Sequence, residues 1–195
     1  MADETRRGDH ARAVAQTYIR KHDIQDPPTP IHQIIEAEGL TIAPMHWGKE
    51  SPLDGLLVRN KRVIALNVDK PPRRQRFSLA HELGHYALNH DYLKQLGPAI
   101  DIDHPPEGVH PRHNPLEAEA DEFANELLVP PQLLKRFRLA PEHQREGSGK
   151  AFHRPFANLA RRMNTQRVLK EKDLADLFEV SAEVIFIALT RHKLL

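Results

Sequence analysis

Three residues near the middle of the chain, His81, Glu82 and His85, form the pattern H-E-x-x-H within the segment RRQRFSLAHELGHYALNH, residues 73–90. Residues four apart on an α-helix lie one turn above each other on the same face, so both imidazoles can bind one metal ion. Glu82 lies about 100° around the helix from His81, beside such an ion and not pointed at it. The spacing therefore predicts a metal-binding helix in which Glu82 is the general base for a water molecule.

The surroundings of these polar residues are apolar, which is typical of a buried helix. Apolar residues cover nearly the whole circumference: Phe77, Leu79, Ala80, Leu83, Tyr86, Ala87 and Leu88. Burying two imidazoles and a carboxylate without partners would cost several kcal/mol, and a bound metal removes that cost. Gly84 costs about 1 kcal/mol in a helix interior, so we expect another element to pack closely against it. A surface helix with incidental histidines is the competing interpretation.

Composition restricts the class of protein. The chain has 195 residues, 39% of them hydrophobic, which suits one domain with a small appendage. The net charge of +1 gives no global electrostatic reason to expect nucleic acid or membrane binding. The absence of cysteine excludes disulfides, thiolate zinc sites and cysteine nucleophiles. The N-terminus is polar and no apolar run reaches transmembrane length, so we expect a cytoplasmic protein.

The chain pattern predicts an α+β fold with a small antiparallel sheet of about three strands. Thr29 is expected to cap the second helix, and Gly39 is expected to end it. The strand at 62–68 is expected to form a sheet edge that binds the substrate in extended form. Helices are predicted at 10–22, 29–38, from 73 or 74 onward, 115–129, 133–137, 155–163, 172–178 and 182–192, the last with Ser181 as its N-cap. Strands are predicted at 40–43, 56–59 and 62–68, and the last two are expected to form a hairpin at Asn60-Lys61.

A tetrahedral zinc ion bound by two histidines needs another protein ligand and a water molecule. On the predicted helix 116–128, Glu117 and Glu119 flank the apolar stripe on opposite sides, so either can lean toward the metal. We prefer Glu117 because Asp121 lies one turn later, where its carboxylate can hold a ligating imidazole. Glu119 remains the alternative third ligand.

A longer zinc pattern, H-E-x-x-H-x-x-G-x-x-H, uses a glycine to turn the chain toward a third histidine. Here Leu88 occupies the glycine position and Asp91 the third-ligand position. Without the glycine the helix is expected to continue, which makes Asp91 the less favoured ligand.

These segments together resemble the ImmA/IrrE family of metallopeptidases, gluzincin-like zinc enzymes. The matching pieces are VIALN (63–67), RRQRFSLAHELGH (73–85) and EAEADEFANELLVP (117–130). On the family pattern E-x-x-A-[ND]-x-F-A, Glu117 falls on the zinc ligand and Asp121 on the usual Asn or Asp. The resemblance implies a zincin-like core, one Zn²⁺ ion (with Mn²⁺ as the alternative), and a zinc endopeptidase. Its expected substrate is a helix-turn-helix repressor or antitoxin, cleaved to relieve repression in stress or mobile-element response.

The residue pattern and the resemblance together divide the chain into four expected parts. These are a disordered N-terminus (1–9), an ImmA/IrrE-like peptidase domain (10–140), a mobile loop (141–152) and a helical, helix-turn-helix-like subdomain (153–195).

The oxyanion that forms when the peptide carbonyl is attacked needs a further hydrogen-bond donor. The candidates are Tyr92, His104, His110 and His113.

A DNA-binding regulator, or a zinc-dependent regulator that acts without proteolysis, is the alternative function. Residues 174–189 loosely follow helix-turn-helix spacing, but Glu179 occupies the usual turn glycine. The would-be reading helix, AEVIFIALTRHKLL, is apolar at its centre, whereas base reading needs polar side chains on an exposed face. We therefore expect this helix to pack in the core and expect no direct nucleic acid binding.

Overall fold

The computed structural model describes residues 2–90, 114–139 and 170–195. Within these ranges, seven α-helices and one three-stranded sheet form the expected α+β structure. The helices are α1 (Ala2–Lys21), α2 (Ile31–Ala37), α3 (Pro72–Ala87), α4 (Pro115–Leu128), α5 (Pro131–Leu139), α6 (Glu171–Phe178) and α7 (Ala182–Arg191). The strands are β1 (Thr41–Met45), β2 (Gly55–Val58) and β3 (Val63–Asn67). Among the described helices, none has both the length and the apolar character that a membrane span requires.

The sheet has the strand order β1-β3-β2. We expected an antiparallel sheet, but the observed sheet is mixed, with one parallel and one antiparallel pair. β2 and β3 form the predicted hairpin, which is antiparallel because a single 3₁₀ turn, Arg59–Lys61, joins them. β1 runs parallel to β3, with Ala43 opposite Ala65. The parallel pair arises because residues 46–54 first carry the chain to the far side of the sheet, and β3 then returns between the two strands.

The prediction that β3 forms a substrate-binding edge was wrong, because β3 is bonded on both sides. Its last four residues are all buried, as expected for a central strand that is covered on both faces. Among the described strands, β2 is the edge next to α3. A peptide that adds to this end of the sheet would therefore pair with β2.

Helices α3 and α4 pack closely at Gly84, as the cost of a helical glycine predicted. A methyl group at Gly84 would lie 3.1 Å from the Ala120 carbonyl oxygen and 3.1 Å from Cδ1 of Phe123. Leu83 of α3 and Phe123 of α4 are fully buried in the same core. This contact fixes the distance between the helix that carries the histidines and the helix that carries the acids.

Residues 2–9, which we expected to be disordered, belong to α1, which begins at Ala2. This helix lies along α4, and its polar side chains find partners there. Arg7 lies 3.6 Å from Glu119, and Gln16 donates to Glu126 over 2.7 Å. The contact of Arg7 ties residues 2–9 to α4, and that of Gln16 ties the part of the helix that follows them.

Thr29 does not cap α2, whose N-cap residue is Pro30. The buried Thr29 hydroxyl instead donates to the carbonyl oxygen of Leu127 over 2.8 Å, which satisfies a carbonyl in the last turn of α4. Gly39 follows α2 at a φ of +71°, the left-handed conformation expected where a helix ends.

The two C-terminal helices pack into the same core as α3 and α4. Ser181 caps α7 by accepting a hydrogen bond from the Val184 amide over 3.3 Å. Ile185 and Leu189, at the apolar centre of α7, are fully buried, so these side chains face the core and not a nucleic acid. The predicted helix at 155–163 and the loop at 141–152 lie outside the described residues.

Candidate metal centre

Two helices supply the polar residues of the site. His81 and His85 lie one turn apart on α3, and Glu117 lies in the first turn of α4. The start of α4 is fixed by Asn114, whose side chain accepts a hydrogen bond from the Leu116 amide over 3.0 Å. The residue order therefore places Glu117 opposite the two imidazoles.

The donor atoms of these three side chains converge. Nε2 of His81 lies 3.0 Å from Nε2 of His85 and 3.1 Å from Oε2 of Glu117. Nε2 of His85 lies 3.4 Å from Oε1 of Glu117. Ligands about 2.0–2.1 Å from a tetrahedral zinc ion are separated by about 3.3 Å. The three side chains therefore fit one ion of this size with adjustments of a few tenths of an ångström.

The surroundings carry an excess of negative charge, which favours a bound cation. Three further carboxylates, those of Glu82, Glu119 and Asp121, accompany Glu117 around two imidazoles. Among the described contacts of these acids, Arg7 partly offsets the charge of Glu119, at 3.6 Å.

Glu82 is only 3% exposed and lies against the edge of β2 that pairs with no other described strand. Its Oε2 accepts a hydrogen bond from the Leu57 amide over 2.8 Å. A Cβ atom at Gly55 would lie 3.1 Å from Cγ of Glu82, so the glycine provides room for this carboxylate. The sequence assigned no role to Leu57 or Gly55, although a glycine in a strand often marks a close approach by another group.

Asp121 lies where the sequence placed it, behind His81. Its Oδ1 is 2.8 Å from Nδ1 of His81. Because a carboxylate only accepts, Nδ1 of His81 carries a proton and Nε2 faces Glu117 and His85.

Burial alone would lower the pKa of His81. The hydrogen bonds to Asp121 and Glu117 and the negative charge of Glu82 outweigh burial and raise that pKa to about 10. In the metal-free protein, His81 is therefore an imidazolium whose second proton faces the donor atoms of Glu117 and His85. A metal ion must displace that proton when it binds.

Glu119, the alternative ligand, faces a different residue. Its Oε2 lies 3.3 Å from Nε2 of His90, and Nδ1 of His90 lies 2.9 Å from Nδ1 of His85. His90 is buried, and burial together with the neighbouring His85 lowers its pKa. Sequence reasoning did not assign His90 a role, although Asn89 before it is a common residue where a helix ends in a left-handed turn.

The remaining candidates, Asp91, Tyr92, His104, His110 and His113, lie outside the described residues.

The family model of the IrrE N-terminal-like domain, a peptidase family, matches residues 36–190. The chain belongs to this family. This match confirms the resemblance seen in the motifs. The IrrE-like peptidase is therefore a metallopeptidase. Both helices of the site, α3 and α4, lie within the matched range. A comparison with curated proteins finds no match.

Proposed function

We propose that this IrrE-like peptidase is a zinc-dependent endopeptidase that cleaves a helix-turn-helix repressor or antitoxin and so relieves repression in stress or mobile-element response. The observation that carries the proposal is the convergence of His81, His85 and Glu117 beside a buried Glu82. A protein substrate follows from membership of a peptidase family. The repressor as substrate rests on the motif resemblance alone.

We assign His81, His85 and Glu117 as the protein ligands of one ion. Two imidazoles with one glutamate are a common ligand set of catalytic zinc, whereas Mn²⁺ prefers sites with more oxygen ligands. When bound, the ion supplies a Lewis acid that polarises the peptide carbonyl and acidifies a water molecule.

Glu82 moves the proton of the reaction. The Leu57 amide holds Oε2 and thereby orients the carboxylate. Glu82 takes a proton from the water that attacks the peptide carbonyl and then gives it to the nitrogen of the leaving amine. Burial at 3% exposure protects this transfer from bulk solvent.

The edge of β2 opposite β3, which pairs with no other described strand, is the proposed binding site for the substrate chain. Asn67 donates to Asp54, and alternation along an antiparallel pair then directs the backbone groups of Gly55 and Leu57 away from β3. The Leu57 amide already donates to Glu82, so an extended peptide can pair with the amide and carbonyl groups of Gly55 and with the Leu57 carbonyl, next to Glu82. The proposed compartment is the cytoplasm, where proteins rarely depend on disulfide bonds; the chain contains no cysteine.

The decisive experiment compares wild-type protein with Glu82→Gln on purified repressors from neighbouring reading frames. We expect Glu82→Gln to reduce the cleavage rate by about 10²–10⁴-fold, while bound zinc measured by mass spectrometry is unchanged. Glu36→Gln, an exposed acid on α2, is the matched control and should cleave normally. Equal repressor loss with wild-type protein and Glu82→Gln would contradict the hydrolytic role and favour a regulator that acts without proteolysis.

A further inference from the structure

His90 follows α3 in a turn that returns its side chain to the metal centre. Asn89 has a φ of +57°, and the His90 amide donates to the His85 carbonyl oxygen over 2.9 Å. The Asn89 amide donates to the Tyr86 carbonyl oxygen over 3.2 Å. These two bonds form a Schellman motif, the common way to end a helix at a left-handed residue. The motif thus places the imidazole of His90 beside that of His85.

Two buried imidazoles and a largely buried carboxylate then form a chain of hydrogen bonds. Oε2 of Glu119 lies 3.3 Å from Nε2 of His90, and Nδ1 of His90 lies 2.9 Å from Nδ1 of His85. The exposed fractions of these side chains are 12% for Glu119, 5% for His90 and 2% for His85, so water does not compete strongly for the bonds.

The direction of donation follows from the chemistry of the end group. The carboxylate of Glu119 only accepts, so the proton of a neutral His90 is on Nε2. Nδ1 of His90 is then an acceptor, and His85 must donate from its own Nδ1. This leaves the Nε2 lone pair of His85 directed toward His81 and Glu117.

We infer that His90 is a positioning residue, which accepts the Nδ1 proton of His85 and, with Glu119 fixing its tautomer, aims Nε2 of His85 at the metal ion. This inference rests on the metal centre assigned under the proposed function. Nothing in the H-E-x-x-H pattern requires such a residue. His81 is backed directly by Asp121, whereas His85 is backed by a carboxylate through a second imidazole.

The first test separates the acceptor atom from the bulk of the ring. In His90→Asn, Oδ1 is attached to Cγ as Nδ1 is in histidine, so an acceptor is kept for His85. His90→Leu removes it. We expect His90→Leu to weaken Co²⁺ and Zn²⁺ binding by about 10–100-fold in chelator competition and to alter the Co²⁺ absorption spectrum. His90→Asn should retain most of the affinity and the wild-type spectrum. His46→Leu, a change at an exposed histidine, should alter neither.

A measurement on the unaltered protein keeps the inference testable if His90→Leu does not fold. Long-range ¹H–¹⁵N NMR of the zinc-loaded protein with labelled histidine should show His85 protonated on Nδ1 and His90 on Nε2. The opposite tautomer at His90 would overturn the inference.

The outcomes also distinguish this inference from the proposed function. Wild-type metal affinity in His90→Leu, or equal losses in His90→Asn and His90→Leu, would overturn the inference and leave the metal centre intact. A wild-type protein that binds no divalent ion would overturn both.

Discussion

Replacing Gly84 by alanine tests whether the contact between α3 and α4 sets the geometry of the metal centre. The added methyl group would lie 3.1 Å from both the Ala120 carbonyl oxygen and Cδ1 of Phe123, and 3.2 Å from the Ala120 Cα atom. Favourable contacts between such atoms lie at about 3.5–4.0 Å. Two of the three neighbouring atoms belong to the backbone and cannot rotate away. The helices must therefore separate by about half an ångström.

This separation acts directly on the proposed ligands, because His81 and His85 lie on α3 and Glu117 lies on α4. Ligand distances in metal sites are held to about ±0.2 Å, so a movement of half an ångström exceeds the tolerance. We expect the affinity for Zn²⁺ or Co²⁺ to fall by about 10–100-fold, the range found when supporting contacts of a metal site are lost.

The effect on folding should be smaller than the effect on binding. Alanine gains about 1 kcal/mol over glycine in a helix interior, while overpacking costs about 1–3 kcal/mol. The free energy of unfolding of the metal-free protein should therefore fall by about 0–2 kcal/mol.

Chelator competition with Co²⁺ measures the affinity, and urea denaturation of the metal-free protein measures the stability. Gly8→Ala on α1 is the matched control, because its methyl group would meet the flexible end of Arg12 at 3.3 Å and no backbone atom among its three nearest neighbours. Wild-type metal affinity in Gly84→Ala would refute the argument that this contact positions the ligands.

Three further predictions concern the residues that surround the proposed ligands. Gly55→Ala should lower the cleavage rate at unchanged zinc content, because its methyl group would lie 3.1 Å from Cγ of Glu82 and displace that carboxylate; normal cleavage would contradict this. Asp121→Asn should weaken zinc binding about tenfold in chelator competition, because His81 loses a charged acceptor; unchanged affinity would show that the charge is not needed. The metal-free protein should lose stability in thermal denaturation as the pH rises from 6.5 to about 10, because the raised pKa of His81 stabilises the folded state fully below 6.5 and not above about 10. His81→Gln should remove this pH dependence, and a persisting slope would assign it to another group.

The local features of the fold and of the site could be predicted from the sequence because they depend on short spacings. The four-residue interval between His81 and His85 places them on one face of any α-helix. The stop at Gly39 and the cap at Ser181 are likewise local, since each depends on the backbone or side chain of one residue. The hairpin of β2 and β3 followed from two apolar segments with a short polar connection.

The pairing of distant segments could not be predicted in the same way. The order β1-β3-β2 depends on how residues 46–54 cross the sheet, and no residue in that segment specifies the crossing. The burial of β3 on both faces had a signal, because VIALN is a nearly continuous apolar run. Thr29 matched a helix cap by type, but a buried carbonyl from the distant α4 competed successfully for its hydroxyl.

The choice among the acids of α4 shows most clearly what sequence spacing can and cannot determine. Glu117 and Asp121 are one turn apart, so both face His81, and Glu119 lies on the opposite flank, where it meets His90. The sequence placed the two glutamates on opposite sides of the apolar stripe. Which side faces the proposed ion depends on how α4 crosses α3, and that depends on the close contact at Gly84.

One helix therefore restrains both imidazoles of the proposed centre from two sides. α4 contacts His81 directly through Glu117 and Asp121, and it contacts His85 through Glu119 and His90. A shift of α4 along α3 would move the proposed third ligand and both supporting carboxylates together. For this reason, we expect changes at the interface between α3 and α4 to affect metal affinity more strongly than changes within α6 and α7. Among the described contacts, α7 meets α4 at Glu122, through Arg191, and not at the proposed ligands.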